Sequence, residues 1–148
     1  MNIHQIAADY QRDGYVSAVP ILTETEAAQH RARLEAHEAA QGQIHYKAKL
    51  HTVMTSPYEL ASHPRVLDIV EAMIGPDILL YDSTFIIKEP HTDAHVSWHQ
   101  DLTFWGLSDD AQVTLWLALS PATAESGCMR MVPGLSLIHI SEPTRLES

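Results

Sequence analysis

A chain of 148 residues, 45% hydrophobic and 19% charged, is long enough to bury one core and too short for two ordinary domains. Its formal charge of -10, from 9 Lys and Arg against 19 Asp and Glu, includes no basic stripe, which argues against nucleic acid or an anionic membrane surface as partner. The single cysteine, Cys128, excludes an internal disulfide framework; with no signal-peptide core and no apolar run of spanning length, the expectation is a soluble cytoplasmic protein.

Residues 1–20 read as a short helix with Ile3, Ile6, Ala7 and Tyr10 on one face, followed by the alternating strand GYVSAV up to Pro20. Thr23 opens a second helix with Glu26 three residues on, the pattern of a capping box, and Gly42 is placed to end it. Its apolar stripe of Ala27, Ala28 and Leu34 is thin, which puts this helix on the outside. Ser56, Pro57 and Glu59 supply the cap, first-turn proline and acid of another start. His63-Pro64 breaks that turn and begins a helix with Val66, Leu67, Ile69, Val70 and Met73 as its buried face, stopped by Gly75-Pro76.

After Gly75 the apolar period falls from helical to two. DILLYDSTFIIKEP puts Leu80, Asp82, Thr84, Ile86 and Lys88 on one face of a strand, and HVSWHQDLTFW, QVTLWLALSPA and SGCMRMVPG follow in the same manner. Helices first and strands afterwards predict an antiparallel α+β or mainly β core padded by outer helices.

Residues 135–145, LSLIHISEPTR, resemble the in-frame translation of a transposase-type sequencing adapter. The expected division is therefore 1–134 as the N-terminal part of a single domain and 135–148 as a foreign tail, excluded from fold reasoning. The alternative for LSLIHI is a genuine terminal strand. His139 falls in this tail and is not counted as a ligand.

Ten histidines invite a metal reading, but His30, His37 and His63 sit in polar, helix-like stretches and read as ordinary exposed side chains. His99 and Asp101, in SWHQDLTFWG, differ from these. Two residues apart on a predicted strand, they share a side, and Trp98, Phe104 and Trp105 flank them. Imidazole plus a hard carboxylate, with no thiolate nearby, suits Fe(II) better than structural zinc. A 2-His-1-carboxylate triad would leave coordination positions open for a co-substrate and O2. From the residues alone, a polar pair without a metal competes evenly with that reading.

DGYV, HPRVLDIVEAMIGPDILLYDSTFIIKEP, VSWHQDLTFWGL and VTLWLALSPATAESGCMRMVPG, in that order, resemble the phytanoyl-CoA dioxygenase family of iron- and 2-oxoglutarate-dependent oxygenases, from about Asp13 to Gly134. The resemblance implies a double-stranded β-helix (jelly roll) with helices packed outside, here partial, its late strands missing. It implies His99 and Asp101 as metal ligands, Fe(II) as the metal, and 2-oxoglutarate and O2 as co-substrates. The family's distal histidine, and the arginine that grips the far carboxylate of 2-oxoglutarate, lie beyond the PG of MVPG in other members. They are absent here, so these 148 residues are expected to be inactive by themselves.

Trp116 matches a family position that lines the 2-oxoglutarate pocket, with a core aromatic as the alternative. Lys49, in HYKAKLH, sits near a family lysine that contacts the co-substrate, with Lys47 in a competing register. Lys88 is a candidate to neutralise a carboxylate, although a solvated edge lysine is the stronger reading. Gln100, Cys128 and Met129 to Met131 read as structural. The implied reaction is hydroxylation of a small organic substrate, and the Asp101 carboxylate argues against halogenation, since related halogenases carry a small residue there. Two other readings stay open: a non-catalytic small-molecule or metal-binding jelly-roll protein, and a cupin-like metalloenzyme that does not use 2-oxoglutarate. The resemblance fixes neither the substrate nor the oligomeric state.

Overall fold

A computed structural model describes residues 2–92 and 95–135. The first half is helical. Helix α1, Ile3–Asp13, starts where the Asn2 side chain accepts the Gln5 N–H at 2.8 Å, and ends at Gly14 with φ 78°. Helix α2, Glu24–Gln41, opens on the capping box: the Glu26 N–H donates to Thr23 Oγ1 at 3.2 Å, and the Thr23 N–H donates to Glu26 Oε2 at 2.8 Å. None of its residues is buried. It rides on the outside, held by His30 Nδ1 at 2.7 Å from Ser56 Oγ and by Arg33 donating to Glu59 at 2.6 Å.

Helices α3, Thr55–Ala61, and α4, Pro64–Ile74, are separated at His63, whose Nδ1 accepts the Arg65 N–H at 3.2 Å while Pro64 fills the first helical position. Ser56 does not cap α3. Met54 holds that place, and Ser56 lies inside the helix, buried, with its hydroxyl turned to His30. Pro57 is tolerated because a first-turn N–H has no intrahelical acceptor to lose.

The core is small: Ile6, Ile44, Leu50, Val66 and Ile69. It forms where α1 packs on α4 and where the 3-10 turn Leu50–Thr52 packs under α3. Of the face expected to be buried on α4, Val66 and Ile69 are buried, whereas Leu67 is exposed. The second half is tied back to α1 by the Tyr10 hydroxyl donating to the Gln112 carbonyl at 3.2 Å and by the Gly134 N–H donating to the Asp13 carbonyl at 2.7 Å.

The β expectation is overturned. Among the described residues there is no strand and no sheet: neither the mainly β jelly roll nor an α+β core forms, and the chain is helical. Residues 77–92 and 95–135 run irregularly, interrupted by one short helix, α5, Leu102–Trp105. Among the described residues pairing is limited to an isolated parallel bridge between His45 and Phe85, with the Tyr46 N–H donating to the Phe85 carbonyl at 3.0 Å and the Leu50 N–H to the Ser83 carbonyl at 3.0 Å.

The physical reason is that period-two alternation says which side chains would share a face but supplies no partner strand. A ladder needs N–H and C=O groups of a neighbour in register. Here side chains take several of those donors. The Ile87 N–H goes to His45 Nδ1 at 2.8 Å, the His51 N–H to Ser83 Oγ at 2.8 Å, and the Lys49 N–H to Asp82 Oδ1 at 2.5 Å. GYVSAV is no strand either, since Ala18 takes a left-handed φ of 58°. Several apolar side chains of the alternating runs are left outside, Leu79 at 84% and Phe104 at 75% exposure, while Phe85 and Ile87 are half-buried. No helix among the described residues is long and apolar enough to cross a membrane. The expected foreign tail falls on residues 136–148, outside the described residues, apart from Leu135.

Candidate metal centre

Asp101 and His99 meet at the start of α5. The Thr103 N–H donates to the Gln100 carbonyl at 3.2 Å and the Phe104 N–H to the Asp101 carbonyl at 2.9 Å, which closes a single turn that Gly106 ends at φ 61°. Asp101 occupies the N-cap position in a helical conformation, φ -56° and ψ -46°, so its carboxylate does not cap the helix. That carboxylate is used elsewhere. Oδ2 accepts from the Thr114 hydroxyl at 2.6 Å, and Oδ1 lies 3.1 Å from His99 Nε2. The expected cause of the juxtaposition, two positions on one side of a strand, is replaced by a turn.

The imidazole is oriented from its far side. His99 Nδ1 lies 2.7 Å from the Ser97 carbonyl oxygen, which can only accept, so Nδ1 carries a proton. In a neutral ring, Nε2 then presents a lone pair toward Asp101 Oδ1. Two acceptors 3.1 Å apart need a cation between them, whether a second ring proton or a metal. Nitrogen and oxygen donors in adjacent positions, each about 2.1 Å from one ion, stand roughly 3.0 Å apart, so this pair fits two sites of a metal shell. Among the described residues no third His, Cys, Asp or Glu joins them. The Phe104 ring stands edge-on to His99, with centroids 6.0 Å apart.

The other expected site residues separate. Lys49, in a left-handed conformation with φ 59°, donates its ammonium to the Tyr81 carbonyl and holds it 4.0 Å from the centre of the Tyr81 ring. Tyr81 meets Trp105 of α5 at 4.8 Å and 78°, so Lys49 reaches the turn that carries Asp101 through two aromatic rings. Lys88 goes elsewhere: its ammonium donates to the Gly127 carbonyl, on the turn that the Cys128 N–H closes to the Thr123 carbonyl at 3.0 Å. Trp116, two residues beyond Thr114, is 42% exposed, which does not fit its alternative reading as a core aromatic. A cavity of about 60 Å³ lined by Gln43, His45, Ile87 and Glu89 contains none of these residues.

Sequence reasoning missed Ser97, Tyr81 and Thr114. The first acts through its backbone, which leaves no mark on residue type. Thr114 offered one weak signal, a hydroxyl within an otherwise apolar run.

The Phytanoyl-CoA dioxygenase (PhyH) family profile matches residues 10–137. L-proline trans-4-hydroxylase of Streptomyces griseoviridis is 28% identical over 85 residues, 55% of this chain and 32% of the relative. Phytanoyl-CoA dioxygenase domain-containing protein 1 of Mus musculus is 35% identical over 72 residues, 48% of this chain and 25% of the relative. A probable alpha-ketoglutarate-dependent hypophosphite dioxygenase of Stutzerimonas stutzeri is 31% identical over 75 residues, 51% of this chain and 26% of the relative. The aligned stretch spans about a quarter to a third of these relatives' length. No solved structure matches the chain. With α2 to α5, His99 and Asp101 all inside the matched range, the chain belongs to the phytanoyl-CoA dioxygenase family.

Proposed function

We propose that the protein carrying these residues is a non-haem iron, 2-oxoglutarate-dependent dioxygenase that hydroxylates a small organic substrate. The observation that carries this reading is the 3.1 Å approach of His99 Nε2 to Asp101 Oδ1, the spacing of two neighbouring donors in one metal shell, with the opposite ring nitrogen committed to the Ser97 carbonyl. Family membership supports it, as do relatives named for proline hydroxylation and for alpha-ketoglutarate-dependent hypophosphite oxidation. Both named substrates are small, which favours a small molecule here.

In this reading His99 and Asp101 hold Fe(II). Bound iron, with 2-oxoglutarate and O2, would supply the oxidising chemistry. The chain's own residues orient and shield. The Ser97 carbonyl keeps the proton on Nδ1, and the Phe104 edge covers one side of the imidazole. Lys49 is the favoured cation for a 2-oxoglutarate carboxylate, supported by its contact with Tyr81, whose ring meets Trp105 of α5; Trp116 is assigned to the same pocket. Lys88 is given a structural role on the Gly127 turn. The proposal also takes residues 1–134 as authentic dioxygenase sequence, 135–148 as adapter-derived, and the cytoplasm as the compartment.

The test is succinate formation from 2-oxoglutarate by the full-length gene product, loaded with Fe(II), beside its H99A and D101A variants. Turnover in the wild type that both variants abolish supports the reading. A metal-loaded wild type that forms no succinate with any small substrate, or variants that turn over normally, overturns it.

A further inference from the structure

We infer that Thr114 is a positioning residue that restricts the Asp101 carboxylate to offering a single oxygen to a cation; the inference rests on His99 and Asp101 being metal ligands. The Thr114 hydroxyl donates to Asp101 Oδ2 at 2.6 Å, within the short range of charge-assisted O–H···O⁻ bonds. Oδ1 is the oxygen that faces His99 Nε2. The Thr114 hydrogen bond occupies one lone pair of Oδ2 and fixes the carboxylate's orientation, so that Oδ1 is the oxygen turned to His99.

Asp101 needs such a constraint. It sits at the N-cap of a helix of one turn and makes no capping bond that would fix its rotamer. A carboxylate bound through two oxygens would fill one more coordination position than a carboxylate bound through one. Ligand shells that must admit co-substrates depend on positions left open. Ser97 orients the imidazole from one side of the pair, and Thr114 orients the carboxylate from the other, across 13 residues of chain. Thr114 is solvent-exposed, so replacing its hydroxyl with a methyl leaves no buried cavity and the fold should tolerate the change.

The experiment uses the full-length gene product with Mn(II) alone, binding being read from the loss of the free-ion EPR signal, and with Co(II) alone, geometry being read from its visible absorption bands. T114V, T114S and H99A are compared with the wild type. Expected is a Mn(II) affinity about 10-fold or more weaker in T114V, with altered Co(II) bands, and recovery of both in T114S. T114V indistinguishable from the wild type while H99A abolishes binding overturns the inference and leaves the ligand reading standing. T114S as impaired as T114V also overturns it, because the hydroxyl is then not the cause. No Mn(II) binding by the wild type, or binding that H99A leaves unchanged, removes the ligand reading and this inference with it.

Discussion

The Lys49 ammonium lies 4.0 Å from the centre of the Tyr81 ring, and Tyr81 in turn meets Trp105 edge-on at 4.8 Å. Trp105 ends the helix whose N-cap is Asp101. A loop lysine thus braces the turn that carries Asp101 through two rings, with no backbone ladder joining the segments. Tyr81→Leu removes both ring contacts and should cost about 1–2 kcal/mol in urea unfolding. Y81F keeps the ring and should unfold close to the wild type. If the two variants unfold alike, the stack does not hold the turn.

His99 and Asp101 should each be required for divalent-cation binding, and His30 should not. His30 faces Ser56, between α2 and α3. H99A and D101A should each weaken Mn(II) binding by more than about 10-fold, since losing a ligand exceeds losing a ligand's supporting hydrogen bond. Isothermal calorimetry on the three alanine variants checks this. An H30A variant as impaired as H99A would point to a general loss of structure instead of a lost ligand.

The helical half was legible because its signals are local. Thr23 and Glu26 lie within one turn of each other, and the structure pairs them in both directions. His63-Pro64 and Gly75-Pro76 bound α4 for reasons carried by proline and glycine themselves. The sheet was misread because alternation in residues 77–88 is a local pattern, whereas a strand exists only through a partner. The same limit governed the site. His99 and Asp101 were found together because any chain conformation keeps them two residues apart, yet a turn and not a strand aims them. Thr114 approaches Asp101 only through the fold, and no spacing rule reaches across 13 residues.

Ile6 should carry much of the stability of α1. It is fully buried at the α1 and α4 contact, and nothing else on α1 is buried. Ile6→Ala should destabilise the protein by about 2–5 kcal/mol. Hydrogen exchange should rise first in α1 and at the Gly134 amide, which is held by the Asp13 carbonyl. A cost below about 1 kcal/mol would mean that α1 is not docked through this side chain.

His30 should make stability depend on pH in one direction. Burial lowers its pKa from 6.5, and the Arg33 cation and His63 add to that, against Glu59 and Glu26, which raise it. The unfolded chain therefore holds the His30 proton more tightly than the folded one, so this contribution to stability rises with pH. It is fully present above the unfolded value of 6.5 and is lost as pH falls through the lower folded value. Other groups titrate nearby, so the informative quantity is a difference. Between about pH 7.5 and pH 5, the wild type should lose stability faster than His30→Gln, which keeps a polar group for Ser56 but has no proton to gain. Parallel urea midpoints for the two proteins across that range would show that His30 titrates the same folded and unfolded, and that its contact with Ser56 does not exclude the charged ring.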